Sequence, residues 1–170
     1  MTNSQEAATT TSTSIHAHHG EAQPALVLVN LGTPTAPEPG PVRAFLREFL
    51  SDRRVIEMSP LLWKPILEGI ILRVRPREVS QKYRSIWMDQ GSPLMHFTRE
   101  QARLLGERLP GVRVEVAMRY GQPSIGSVLD RLHVQGVRRV AILPAYPQYA
   151  ASTVATINDA VAQWIGRNRD

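Results

Sequence analysis

Arginines and tyrosines beside glycine- or proline-bounded turns are the residues of this chain best suited to chemistry. Arg119 and Tyr120 stand in Met118-Arg119-Tyr120-Gly121, and Tyr146 and Tyr149 in Tyr146-Pro147-Gln148-Tyr149. Arg73, Arg75 and Arg77 directly follow the apolar stretch Leu61–Leu72. A guanidinium makes two-pronged bonds to carboxylate or phosphate. A tyrosine ring stacks on a flat molecule or donates a hydrogen bond. Together they suit a flat, acidic, aromatic ligand. Gly32 permits a tight turn after Leu31, but neither G-x-G-x-x-G nor G-x-x-x-x-G-K-[ST] occurs, so a nucleotide loop is not supported. No G-x-S-x-G occurs, and His96 and His133 have no evident partner, so a hydrolase triad is not supported either.

These groups need a frame that brings them together. Leu26 to Leu31 is a continuous apolar run that reads as a strand buried on both faces. Pro41 suits the first turn of a following helix, whose stripe is Val42, Phe45, Leu46, Phe49 and Leu50. Leu61–Leu72 reads either as an exposed apolar lip or as an ordinary buried helix with a basic end. Thr98-Arg99-Glu100-Gln101 has capping-box spacing and predicts a helix running to Leu109. Val112 to Met118 alternates as a strand does. Ser124 opens a helix bearing Ile125, Val128, Leu129 and Leu132, which Gly136 stops. Val137 to Leu143 is the third strand, and Ser152 or Thr153 is expected to cap a last helix.

The order strand, helices, strand, helix, strand, helix predicts an α/β fold: a three-layer sandwich with a parallel sheet and strand one central. Ligands in such sheets bind beyond the carboxyl ends of the strands. Those ends carry Asn30 to Pro34, Met118 to Gly121 and Pro144 to Tyr149, so the expected topology gathers the reactive side chains on one rim.

Composition narrows the function classes. The 170 residues contain no Cys, which excludes disulfides, thiol catalysis and cysteine-held zinc or iron–sulfur clusters within the chain. All 20 basic residues lie beyond residue 24, and only Lys64 and Lys82 are lysines. This arginine bias fits an anionic ligand or surface, or simply a GC-rich coding bias. No apolar run approaches the ~20 residues of a membrane span. Residues 1–24 are rich in Ser and Thr, lack apolar periodicity and read as a disordered tail; residues 25–170 form the folded domain. His16, His18 and His19 in that tail are a weak adventitious metal site at most.

Five strings, LVLVNLGTP, FLREFLSDRRVIEM, KYRSIWMDQGSPL, VEVAMRYGQPSI and AILPAYPQYAASTVAT, appear in the order found in ferrochelatases and span about residues 25 to 165. The chain resembles the N-terminal half of that family. The resemblance implies a chelatase-like, Rossmann-like α/β domain, incomplete here, with a porphyrin cleft bordered by an apolar lip at about residues 58–77. It implies a lyase that inserts ferrous iron, a substrate, into a porphyrin at the end of haem biosynthesis.

By the same resemblance, Arg77, Tyr83 and Ser92 match positions that contact porphyrin propionates. Leu31 matches a residue packed near the macrocycle face, and Arg119, Tyr120 and Tyr146 match polar residues lining the cleft. Ala151 stands where some relatives place an iron–sulfur cysteine, so no such cluster is expected. The family's catalytic His, in an S-x-H-G-L-P-like motif, and its partner Glu belong to the second half of the family's chain. No such motif occurs here, and neither His96 nor His133 inherits the role. The expectation is therefore a fragment, inactive alone, in the cytoplasm, with peripheral membrane contact as an open option. Protoporphyrin IX or coproporphyrin III is the expected partner, and no nucleic acid is. The alternative is a non-catalytic porphyrin- or haem-binding α/β module.

Overall fold

The computed structural model describes residues 22–168. The tail, up to residue 21, lies outside the described residues, and so does the expectation of its disorder. Ala22 already packs against the core, and the Pro24 carbonyl accepts the Arg113 N–H at 2.9 Å.

The sheet has three parallel strands: β1 (Ala25–Thr33), β2 (Arg113–Gly121) and β3 (Val140–Pro144). Their order is β2-β1-β3, with β1 central as its apolar run requires. Val27 and Val29 of β1 are fully buried. Both longer strands extend further than their sequence patterns suggest. Gly32 is a rung of β1 opposite Tyr120, and Thr33 pairs with Gly121. Gly32 takes φ +118°, a conformation that side-chain-bearing residues rarely adopt. Arg119 and Tyr120 are consequently among the last rungs of β2.

Helices cover both faces. Between β1 and β2 lie α1 (Pro39–Leu50), α2 (Pro60–Ile66), α3 (Leu72–Ile86) and α4 (Pro93–Arg108). On the opposite face, α5 (Ile125–Val134) and α6 (Thr156–Arg167) close the core. There Val27, Val29, Val128, Leu132 and Ile157 pack with no exposed surface. Ser124 caps α5 as expected: its Oγ accepts the Ser127 N–H at 3.2 Å. Gly136 follows α5 with φ +79°, the conformation of a helix stop.

Two expected helix starts are corrected. The helix assigned to Thr98 begins at Pro93, after Ser92. Thr98 lies inside it, buried, donating to the Leu94 carbonyl at 2.6 Å and accepting from Asn30 Nδ2 at 3.0 Å. Proline at the first helical position gives up no needed N–H, so Ser92-Pro93 is the stronger start. The final helix begins with a π-helical turn, Ala151–Ala155, after Ala150. Neither Ser152 nor Thr153 precedes it; Thr153 instead reaches back and accepts the Ala150 N–H at 3.1 Å.

The segment from Pro60 to Ile86 is one helical rod. A π-helical turn, Leu67–Ile71, joins α2 to α3. Pro65 and Pro76 each remove one intrahelical N–H, and the wider turn sits between them. Leu67 and Leu72 are buried, Trp63 Nε1 donates to the Leu50 carbonyl at 2.7 Å, and Arg47 bonds Glu68 in a two-pronged pair at 2.8 and 3.0 Å. These contacts fasten the rod to α1. Its other side is open: Leu61 is 87% exposed, with Leu62, Ile70 and Val74 each at least 60%. The segment is thus amphipathic, one side buried against α1 and the other exposed.

Candidate functional site

The parallel sheet sets the three carboxyl ends side by side, and most of the expected site residues stand at them. Leu31 is half-buried near the end of β1, its N–H held by Asn30 Oδ1 at 2.8 Å. Arg119 and Tyr120 close β2, and Tyr146 follows β3.

Arg119 and Tyr120 share a partner that motif reading did not single out. Asp52, two residues past α1, accepts Arg119 Nη2 at 2.6 Å and the Tyr120 hydroxyl at 2.8 Å on one oxygen, Oδ2. Its other oxygen accepts the Arg54 N–H at 2.8 Å, closing a local turn. The Arg119 guanidinium lies 4.5 Å from the centroid of the Tyr120 ring, which itself meets Phe49 edge-on. Tyr120 is fully buried. Burial, then the bond to Asp52, raises its phenol far above the ordinary range. Tyr146 is likewise raised by burial, with the charge of Arg119 opposing. Two buried side-chain atoms here have no partner among the described residues: Arg119 Nε and the Tyr146 hydroxyl. A buried unpaired polar atom costs roughly 1–3 kcal/mol, so this rim has donor capacity that the protein itself does not use. Tyr149, by contrast, is 71% exposed.

A second cluster lies where α4 begins. Ser92 is buried and its Oγ accepts the Thr33 hydroxyl at 2.8 Å, tying α4 to the end of β1. Both line a cavity of about 230 Å³ with Trp87, Met95 and Arg99. The Ser92 hydroxyl keeps its own proton to donate. Tyr83, on α3, is half-buried, meets Trp87 edge-on, and has its phenol raised by burial. Arg77 stands exposed on α3 with no ion pair among the described residues. Among the described residues no hydrogen bond or ring contact joins Arg77 or Tyr83 to Ser92. Motif reading places Thr33 on the rim without its partner Ser92, and does not place Asp52 or Arg99 there. Asp52 and Thr33 lie within the strings quoted above, but their partners are remote in sequence.

A family model described as Ferrochelatase matches residues 23–170. The chain is 51% identical over 158 residues to the ferrochelatase of Methylibium petroleiphilum, covering 91% of this chain and 44% of that protein. It is 50% identical over 138 residues to the ferrochelatase of Yersinia enterocolitica, covering 81% and 43%. It is 50% identical over 150 residues to ferrochelatase 1 of Shewanella oneidensis, covering 85% and 45%.

The chain belongs to the ferrochelatase family.

It spans less than half the length of the curated relatives it matches, and corresponds to their N-terminal portion. Among the described residues no group of three or more His, Cys, Asp or Glu could hold a metal ion, and no helix is long and apolar enough to cross a membrane.

Proposed function

We propose that this chain builds one wall of a porphyrin cleft and contributes to insertion of ferrous iron, the last step of haem biosynthesis. One observation carries the reading: an exposed apolar stripe, Leu62, Ile66, Ile70 and Val74, stands on the same rod as the exposed guanidiniums of Arg73, Arg75 and Arg77. A macrocycle edge with two carboxylates has that pairing of apolar and anionic surface.

In the reaction, Fe²⁺ replaces the two pyrrole N–H protons of the porphyrin, so two protons must be accepted as the metal enters. A flat macrocycle hides its nitrogens, and binding energy from the periphery offsets the cost of bending it. This chain's part is peripheral binding. Arg77, Tyr83 and the Ser92 hydroxyl are the donors assigned to the propionates. Leu31 packs against the ring, and Arg119, Tyr120 and Tyr146 shape the polar side of the slot. The base that accepts the protons, and the side chains that handle the metal, are not among its motifs, so the chain alone is inactive. The lip lets it rest peripherally on an anionic membrane from the cytoplasmic side. Protoporphyrin and coproporphyrin both present propionates, so both fit this wall.

The test is a paired assay on the purified chain. Protoporphyrin fluorescence should be quenched saturably. Iron and zinc insertion should stay at the uncatalysed rate. Turnover comparable with that of an intact relative would overturn the division of labour, and absence of binding would overturn the cleft assignment.

A further inference from the structure

Asp52 has a geometry that its position on a turn does not require. Its Oδ1 and its carbonyl already complete the turn, accepting the N–H groups of Arg54, Val55 and Ile56. Oδ2 is left over, and it receives two consecutive side chains of β2: Arg119 at 2.6 Å and Tyr120 at 2.8 Å. The Arg119 and Asp52 side chains are only 18% and 11% exposed, so solvent screens the pair weakly. One oxygen therefore fixes the guanidinium and the phenol together. It also offsets the guanidinium charge at the floor of the rim.

We propose that Asp52 is a positioning residue of the cleft. It holds Arg119 over Tyr120, so that the rim keeps the Arg119 Nε–H as the donor of a charge-balanced ion pair instead of a mobile cation. This rests on the porphyrin-wall reading above. It has a direct chemical consequence for that reading. An unpaired guanidinium at this place would repel an approaching divalent metal, whereas the Arg119–Asp52 pair carries no net charge. Arg119 Nε, buried without a partner among the described residues, belongs to this arrangement.

Asp52→Asn is the discriminating variant. Asn keeps an oxygen for the Arg54 N–H, so the turn survives. It puts an N–H₂ group where Oδ2 accepts two donors, so the hold on Arg119 and Tyr120 is lost. The full chain is titrated with protoporphyrin IX as Asp52→Asn, Arg119→Gln, the double variant and Asp52→Glu. Each is checked for thermal melting, and the Arg119 side-chain resonances are followed by NMR. Asp52→Asn should weaken binding about ten-fold, one decade being 1.4 kcal/mol. The double variant should lose less than the sum of the two single losses, because Asp52 and Arg119 act as one unit. Asp52→Glu keeps the charge but displaces it, and should fall between wild type and Asn. In the free protein, the ring-current shift that Tyr120 imposes on Arg119 should collapse in Asp52→Asn. Asp52→Glu carries the same comparison should the Asn variant unfold. Wild-type binding with undiminished affinity in the Asp52 variants, additive losses in the double variant, or an unchanged Arg119 shift would overturn the role of Asp52 and leave the porphyrin reading standing. A wild-type chain that does not bind protoporphyrin would overturn both.

Discussion

Gly32 and Tyr120 face each other across β1 and β2 so closely that a methyl group built on Gly32 would lie 1.8 Å from the Tyr120 carbonyl oxygen. The absence of a side chain at residue 32 is what lets β2 carry Arg119 and Tyr120 to the rim, with Tyr120 opposite Gly32. Gly32→Ala should therefore destabilise the fold. The positive φ alone costs about 1–3 kcal/mol, and the clash adds to it. Chemical denaturation is the check, and a melting curve within error of wild type would contradict the packing described.

The rod from Pro60 to Ile86 should separate into two kinds of leucine. Leu67 is 2% exposed and faces α1. Its replacement by Ala should cost roughly 2–5 kcal/mol, as for other buried leucines. Leu62 and Ile70 face outward, so Leu62→Ser with Ile70→Ser should leave stability within about 0.5 kcal/mol while reducing binding to anionic vesicles in a sedimentation assay. Equal destabilisation at both places would mean that the outer face is packed.

Among the described residues β3 pairs on one side only, with β1, and Leu143 on it is 41% exposed. An unpaired strand edge with apolar side chains templates association. Light scattering should show concentration-dependent self-association of the chain. Leu143→Lys should suppress it, since a charge on an exposed edge opposes pairing. A monodisperse wild-type monomer at high concentration would count against this.

Three phenols set the alkaline limit. Burial is the first cause of the raised values of Tyr83, Tyr120 and Tyr146, and Asp52 adds to that of Tyr120. The folded state thus holds these protons more tightly than the unfolded state does. Their contribution is complete below the ordinary phenol value of about 10 and is lost as pH rises beyond it. Urea midpoints should be flat from pH 8 to about pH 9.5 and then fall. A rise above pH 10 would contradict the burial of these rings.

Much of this architecture was legible because it is written locally. The run Leu26–Leu31 signals a buried central strand, and Ser124 and Gly136 bracket α5 as their chemistry demands. Local reading fails where a stronger local signal or a remote contact decides. The Thr98 spacing looks like a helix start, but Ser92-Pro93 outranks it, and Thr98 is drawn inside to meet Asn30, 68 residues away. Leu61–Leu72 has enough apolar residues for burial; only the tertiary structure shows which side α1 covers. Arg119 and Tyr120 are visible as reactive residue types. That both are held by Asp52 across 67 and 68 residues is beyond any pattern of spacing.

The most direct test of the cleft assignment is a fluorescence titration of protoporphyrin IX and its dimethyl ester against the wild-type chain, Arg77→Ala and Arg77→Lys at fixed ionic strength. A hydrogen bond to a charged group contributes roughly 1.5–3 kcal/mol, so Arg77→Ala should bind the free acid about ten-fold more weakly or worse. Lys should recover only part of the loss, because an ammonium cannot make the two-pronged contact. Arg108, at the far end of α4 from the rim, should tolerate Ala without effect, whereas Arg99, which lines the Ser92 cavity, is not a neutral control. The ester, lacking carboxylates, should bind wild type and both Arg77 variants alike. Equal affinity of wild type and Arg77→Ala for the free acid would contradict the propionate clamp on which the account rests.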